Sequence, residues 1–183
     1  MLTLINQIEG SLSSGLYFLS LYTALTIPDI AGALGSDNGI ASGPKYAFWF
    51  EQWVRPRFLE TVLDSIPPEH RQHVKMDNPL TGEDCYHFRC SLLHQGSSQH
   101  PKSQFSRIMF IEPSATTNIV HYGQLNDALC IDLNLFCREV ISGARLWLKQ
   151  AEQEDNFIKN YERFVRRYPN GLTPYIVGVP VVG

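Results

Sequence analysis

QLNDALCIDLNLFCREVISGARLWLKQAE, residues 124–152, carries apolar side chains at Leu125, Leu129, Cys130, Leu133, Phe136, Cys137, Val140, Ala144 and Leu148. Steps of three and four put these positions on one stripe of a 3.6-residue helix, so the spacing predicts one long core helix over 124–152. No other stretch of the chain has so strong a helical period, and it sets the fold class as mainly α. Upstream, Leu4, Ile5, Ile8, Leu12, Leu16, Leu19, Tyr22 and Thr23 repeat the pattern and predict an amphipathic helix over 3–26, ended by Pro28. Gly32, Gly35 and Gly39 mark a loop, and Ser42 with Pro44 marks a helix start. Tyr46, Trp49, Phe50 and Trp53 give that helix an aromatic face, Pro56 interrupts or kinks it, and Pro67-Pro68 closes it. Downstream, a last helix is expected over 155–168.

Two β-prone runs, 105–111 and 118–122, are separated by Glu112-Pro113-Ser114 and predict a β-hairpin over 105–122 attached to the helical body. The chain shows no repeat, linker or low-complexity stretch. The expected organisation is one helical domain, 1–168, with a C-terminal tail, 169–183.

The 183 residues are 44% apolar and 18% charged, with a net charge of -3. Such a chain buries a core without disulfides or structural metal, and its composition excludes a disordered segment. Residues 1–44 hold Glu9, Asp29 and Asp37 but no Lys or Arg, so the whole excess of negative charge lies there. That stretch lacks the basic residues of a secretory or mitochondrial leader, and its apolar run from Leu16 to Ile27 is too short to span a bilayer. A cytoplasmic protein is the expectation, with Cys85, Cys90, Cys130 and Cys137 as reduced thiols.

The chemistry-bearing stretch is Gly82-Glu83-Asp84-Cys85-Tyr86-His87-Phe88-Arg89-Cys90-Ser91-Leu92-Leu93-His94-Gln95-Gly96. Thr81 and Asp84 stand at capping-box spacing and Gly96 closes the helix. At 100° per residue, Cys85, Tyr86, Phe88, Leu92 and Leu93 form an apolar sector with Arg89 in its middle. An uncompensated guanidinium there is costly, so Arg89 either pairs with a carboxylate or faces a pocket or interface that receives an anion.

The Arg-x4-His-x-Gly ending of this helix, Arg89 to Gly96, resembles the signature of the higher eukaryotes and prokaryotes nucleotide-binding (HEPN) superfamily. The resemblance implies a helical bundle of about five helices, often dimeric, and a metal-independent ribonuclease of a toxin-antitoxin or phage-defence type. It implies Arg89 and His94 as the catalytic residues, an RNA substrate, a homodimer, a cognate inhibitor protein and no cofactor; the short apolar run separately leads to the expectation of no membrane partner. Arg89 would grip phosphate oxygens and His94 would exchange protons near neutral pH. Five residues of ideal helix separate the two by about 140°, so the pair need not touch, and a two-fold dimer that brings both motif ends together is the favoured arrangement. The alternative is a non-catalytic HEPN-like module, binding a protein or nucleotide, in which Arg89 makes a structural ion pair.

Other chemistry is weaker. Cys85, His87, Cys90 and His94 form a run of metal-capable side chains, with His70, His73 and His121 as further donors, but no paired Cys-x2-Cys knuckle accompanies them. Cys85, Cys130 and Cys137 read as core residues. In the last helix Lys159, Arg163, Arg166 and Arg167 form a basic stripe, the candidate substrate-binding residues, beside an aromatic stripe of Phe157, Tyr161, Phe164 and Tyr168.

Overall fold

The structure, a computed structural model, describes residues 1–64, 67–72, 76–117 and 120–183. The first apolar pattern makes two helices, α1 (Leu2–Ser13) and α2 (Tyr17–Leu34), where a single helix over 3–26 was expected. The chain reverses at Gly15, whose φ of +72° suits glycine. Ser11 and Ser20 then meet at 2.8 Å inside the α1–α2 contact. Pro28 lies buried within α2 and does not end it. Its missing N–H costs the helix about 3 kcal/mol, which is outweighed because Ala24, Leu25, Ile27, Ala31 and Leu34 are all buried along the same element. By length and composition α2 is apolar enough to cross a membrane, and 44% of it is buried inside the fold.

Helix α3 (Gly43–Trp53) starts at Ser42-Gly43-Pro44 as its sequence predicts, and α4 (Arg55–Asp64) follows the break before Pro56. After the single turn α5 (Pro68–Arg71) comes α6 (Gly82–Gln95), the helix of the Arg-x4-His motif.

The strands depart from expectation. Among the described residues no hairpin joins 105–111 to 118–122, and Asn118 and Ile119 lie outside the described residues. Strand β1 (Arg107–Ile111) instead pairs in parallel with β3 (Ala128–Asp132), with Met109 opposite Cys130. Strand β2 (Gly123–Leu125) pairs antiparallel with β3 across Asn126-Asp127, Asn126 taking a φ of +55°. The first part of the expected core helix is therefore a strand pair. Leu129, Cys130 and Ile131 are buried in succession, a pattern that a strand covered on both faces accommodates. Helix α7 (Leu133–Ala151) begins only after Asp132, whose side chain caps it by accepting the Leu135 N–H at 2.9 Å.

Helix α7 packs against α1, α2, α3 and α4, with Phe136, Val140 and Ala144 buried beside Ile5, Ile8, Leu25 and Phe50. Gly143 permits the closest crossing: a Cβ there would lie 2.3 Å from the Trp53 carbonyl oxygen. Helix α8 (Asp155–Tyr161) ends earlier than the expected 168, so the basic stripe is not helical throughout. The tail forms two small antiparallel ladders, β4 (Arg167–Tyr168) with β7 (Val181–Val182) and β5 (Gly171–Leu172) with β6 (Ile176–Val177).

The three carboxylates of the first 44 residues each meet a later side chain. Glu9 pairs with Arg145 at 2.7 Å, Asp29 with Arg89 at 2.6 Å, and Asp37 accepts from the Asn156 amide at 2.7 Å. The local charge imbalance is thus spent on long-range contacts.

Candidate functional site

Helix α6 is held at both ends by its own sequence. Thr81 Oγ1 accepts the Asp84 N–H at 3.1 Å and donates to Asp84 Oδ2 at 2.7 Å. Asp84 does more than cap, because Gln104 donates to it from its backbone at 3.0 Å and from its side chain at 2.7 Å, tying the following loop to the helix start. At the other end Gly96 adopts φ +64° and Ser97 N–H closes on the Ser91 carbonyl. Gly82 crosses α3 so tightly that a Cβ would lie 2.3 Å from the Ala47 carbonyl oxygen.

These constraints aim Arg89 at α2. Its Nη2 lies 2.6 Å from Asp29 Oδ2, with both side chains largely covered, at 19% and 14% exposure. The contact is ionic and not a well-aligned hydrogen bond, and Arg89 Nε is buried without a partner in the fold. On the other branch, Nη1 lies 3.3 Å from Nε2 of the exposed His94 and 3.8 Å from Cys90 Sγ. The two motif residues therefore touch within one chain. The 140° between their Cα directions is bridged by the reach of the arginine, which the projection from Cα positions leaves out.

Burial pushes the Asp29 carboxyl above its ordinary value of 3.8, and the charge of Arg89 opposes the shift. Burial likewise works against the Arg89 charge, but Asp29 and Cys90 carry its pKa upward, so the guanidinium stays protonated. A cation with one flank on a largely covered carboxylate and the other on an exposed imidazole is oriented by both.

The other motif side chains go elsewhere. Cys85 is buried with Sγ 3.4 Å from the Tyr46 hydroxyl, and burial pushes its thiol up to about 12, the opposite of an activated nucleophile. His87 stacks on His100, ring centroids 4.6 Å apart and planes within 3°. Among the described residues no three His, Cys, Asp or Glu side chains are grouped to hold a metal, and His73 lies outside them. Cys130, expected on a helix, is on β3.

The four basic candidates divide. Lys159 reaches the Asp37 carbonyl, while Arg163, Arg166 and Arg167 line a groove bounded by α1, the end of α2 and the turn after α8. The aromatic stripe holds as far as Phe164: Phe157, Tyr161 and Phe164 stack in series.

Two features were not legible in advance. Asp29 is the only charged residue in α2, and a lone carboxylate in one apolar helix facing a lone arginine in another is the signal that would have paired them. The second is a buried polar cluster in which Glu139 accepts from Tyr122 at 2.6 Å and lies 3.0 Å from His121 Nε2, under the Phe58 ring. All three are too buried to meet a substrate, and they anchor the segment before β2 to α7.

Comparison of the chain with protein-family models, with curated proteins and with solved structures gives no match.

Proposed function

We propose that the chain is a metal-independent endoribonuclease of a HEPN-like toxin or phage-defence type, with Arg89 holding the scissile phosphate and His94 moving protons. The observation that carries this reading is the 3.3 Å approach of Arg89 Nη1 to His94 Nε2 at the open end of α6. In such a reaction a base takes the proton of the ribose 2′-hydroxyl, and that oxygen forms a bond to phosphorus. The bond from phosphorus to the 5′-oxygen breaks as an acid protonates the leaving oxygen. Arg89 stabilises the charge that develops on the phosphoryl oxygens. A homodimer that apposes two motif ends supplies a second imidazole, so that one serves as base and the other as acid. In favour of such a dimer, α2 exposes Phe18 and Leu19, at 77% and 56%, on the helix that also carries Asp29. A cognate inhibitor rests on the HEPN resemblance.

Incubating mixed RNAs with purified protein in excess chelator tests the reading. It expects fragments with 2′,3′-cyclic phosphate and 5′-hydroxyl ends, and RNA that stays intact rejects it.

A second reading is favoured by the Asp29 contact. Because a carboxylate already neutralises Arg89 inside the fold, the pair serves as a structural tie in a non-catalytic HEPN-like module for a protein or nucleotide. In that case Arg89→Ala loosens the fold and His94→Ala changes nothing measurable.

A further inference from the structure

We infer that the groove lined by Arg163, Arg166 and Arg167 is a subsite for one unpaired nucleotide of a single-stranded RNA, an inference that rests on the ribonuclease reading. The groove has a volume of about 670 Å³, within the range of small-ligand sites, and lies open along one side. Its floor is apolar, from Leu4, Ile30, Leu34 and Val182. Its charge is one-sided: the lining includes three arginines and neither Asp nor Glu, and among the described residues none of the three is in a salt bridge.

The aromatic side chains supply the second half of the recognition. Phe157, Tyr161 and Phe164 stack with centroids 5.1 and 5.3 Å apart and planes inclined by 16° and 12°. Phe157 is buried and Phe164 half-buried, so the series runs from the core to the groove wall. A nucleobase laid on Phe164 continues that stack, and its phosphate falls to the arginines. Gly39 helps set the wall, since a Cβ there would lie 2.9 Å from Arg163 Nη2 and 2.7 Å from Asn160 Oδ1. Asn160 is itself fixed by donating to the carbonyls of Ala33, Leu34 and Ser36 at the end of α2.

The groove is also placed to serve Arg89 and His94. Ala33 lines it, and Ala33 follows Asp29, the partner of Arg89, by one turn on the same face of α2. One strand lying along that face meets both places. A fatty acyl anion would share the charge requirement, but it gains nothing from a parallel ring series.

The test uses a fluorescent 2′-O-methyl single-stranded oligoribonucleotide, which cannot be cleaved, with a duplex of the same sequence and dodecanoate as competitors. Wild type should bind the single strand and bind the duplex only weakly. Phe164→Ala and the double variant Arg163→Gln/Arg167→Gln should each weaken binding about tenfold, and Phe164→Trp should restore it. The arginine variant changes exposed side chains only, so it reports even if Phe164→Ala fails to fold. Equal binding by wild type and the arginine variant overturns the inference, as does displacement by dodecanoate but not by the duplex or unlabelled single strand. If RNA is cut at the same rate by wild type and the groove variants, the subsite fails and the ribonuclease stands. If the groove variants lose binding but no RNA is cut by any protein, the ribonuclease reading fails and the subsite stands.

Discussion

Arg89 on α6 and Asp29 on α2 face each other across 2.6 Å, the single charged residue of one apolar helix matched to an arginine in the apolar sector of another. The pair joins the motif helix to the N-terminal part of the fold and fixes which way the guanidinium points. Removing one partner leaves the other charge mostly buried and unpaired, which is costlier than removing both.

Arg89→Ala and Asp29→Ala should therefore each destabilise the protein by about 1–3 kcal/mol, a range lowered because both groups keep some exposure. The double variant should cost less than the sum of the two. Urea denaturation of all four proteins measures the coupling, and strictly additive losses would show that the contact contributes nothing.

The Asp29 carboxyl should titrate above 3.8, because burial outweighs the attraction of Arg89. A raised folded-state value means that the folded protein holds the proton more firmly than the unfolded chain. The contribution of Asp29 to stability is then most favourable below 3.8 and falls as pH rises through the raised value. NMR titration of the carboxyl carbon checks this, and Arg89→Ala should move the value higher still.

Close backbone crossings set α6 against α3. Gly82→Ala should cost about 1–3 kcal/mol, since the new methyl meets the Ala47 backbone. Gly10→Ala, inside α1 with nothing within 4 Å of the new carbon, should instead stabilise by about 0.4–1 kcal/mol. Thermal unfolding of the two variants should shift in opposite directions.

Cys85 and Cys137 are buried and their thiols are pushed up to about 12, chiefly by burial. Neither should react with a thiol-specific reagent at pH 8 until the protein is denatured, whereas the half-buried Cys90 should react in the native state. Mass spectrometry of the labelled peptides distinguishes them.

Local signals were readable and long-range ones were not. Thr81, Asp84 and Gly96 bound α6 because capping chemistry acts within a few residues. The apolar positions Leu129 and Cys130 satisfy a helical stripe and a buried strand equally well, while Leu125, counted in the same stripe, ends exposed on β2. What separates the two is Asn126-Asp127, a two-residue connection with Asn126 at positive φ. The parallel pairing of β1 with β3 has no local signature at all, and its partners lie on separate elements. At the site, the helix projection identified Arg89 as anomalous and named the two possible resolutions. Which carboxylate answers it depends on how α2 and α6 pack.

On the proposed ribonuclease reading, Arg89 and His94 act together on RNA. Single-turnover cleavage of a labelled RNA in excess chelator, by wild type, Arg89→Ala, His94→Ala and the double variant, tests it most directly. Residues that act as a unit give non-additive losses, so each single variant should cleave at least about a hundredfold more slowly, with little further loss in the double. Cleavage by His94→Ala at the wild-type rate, from a protein of unchanged stability, would contradict it.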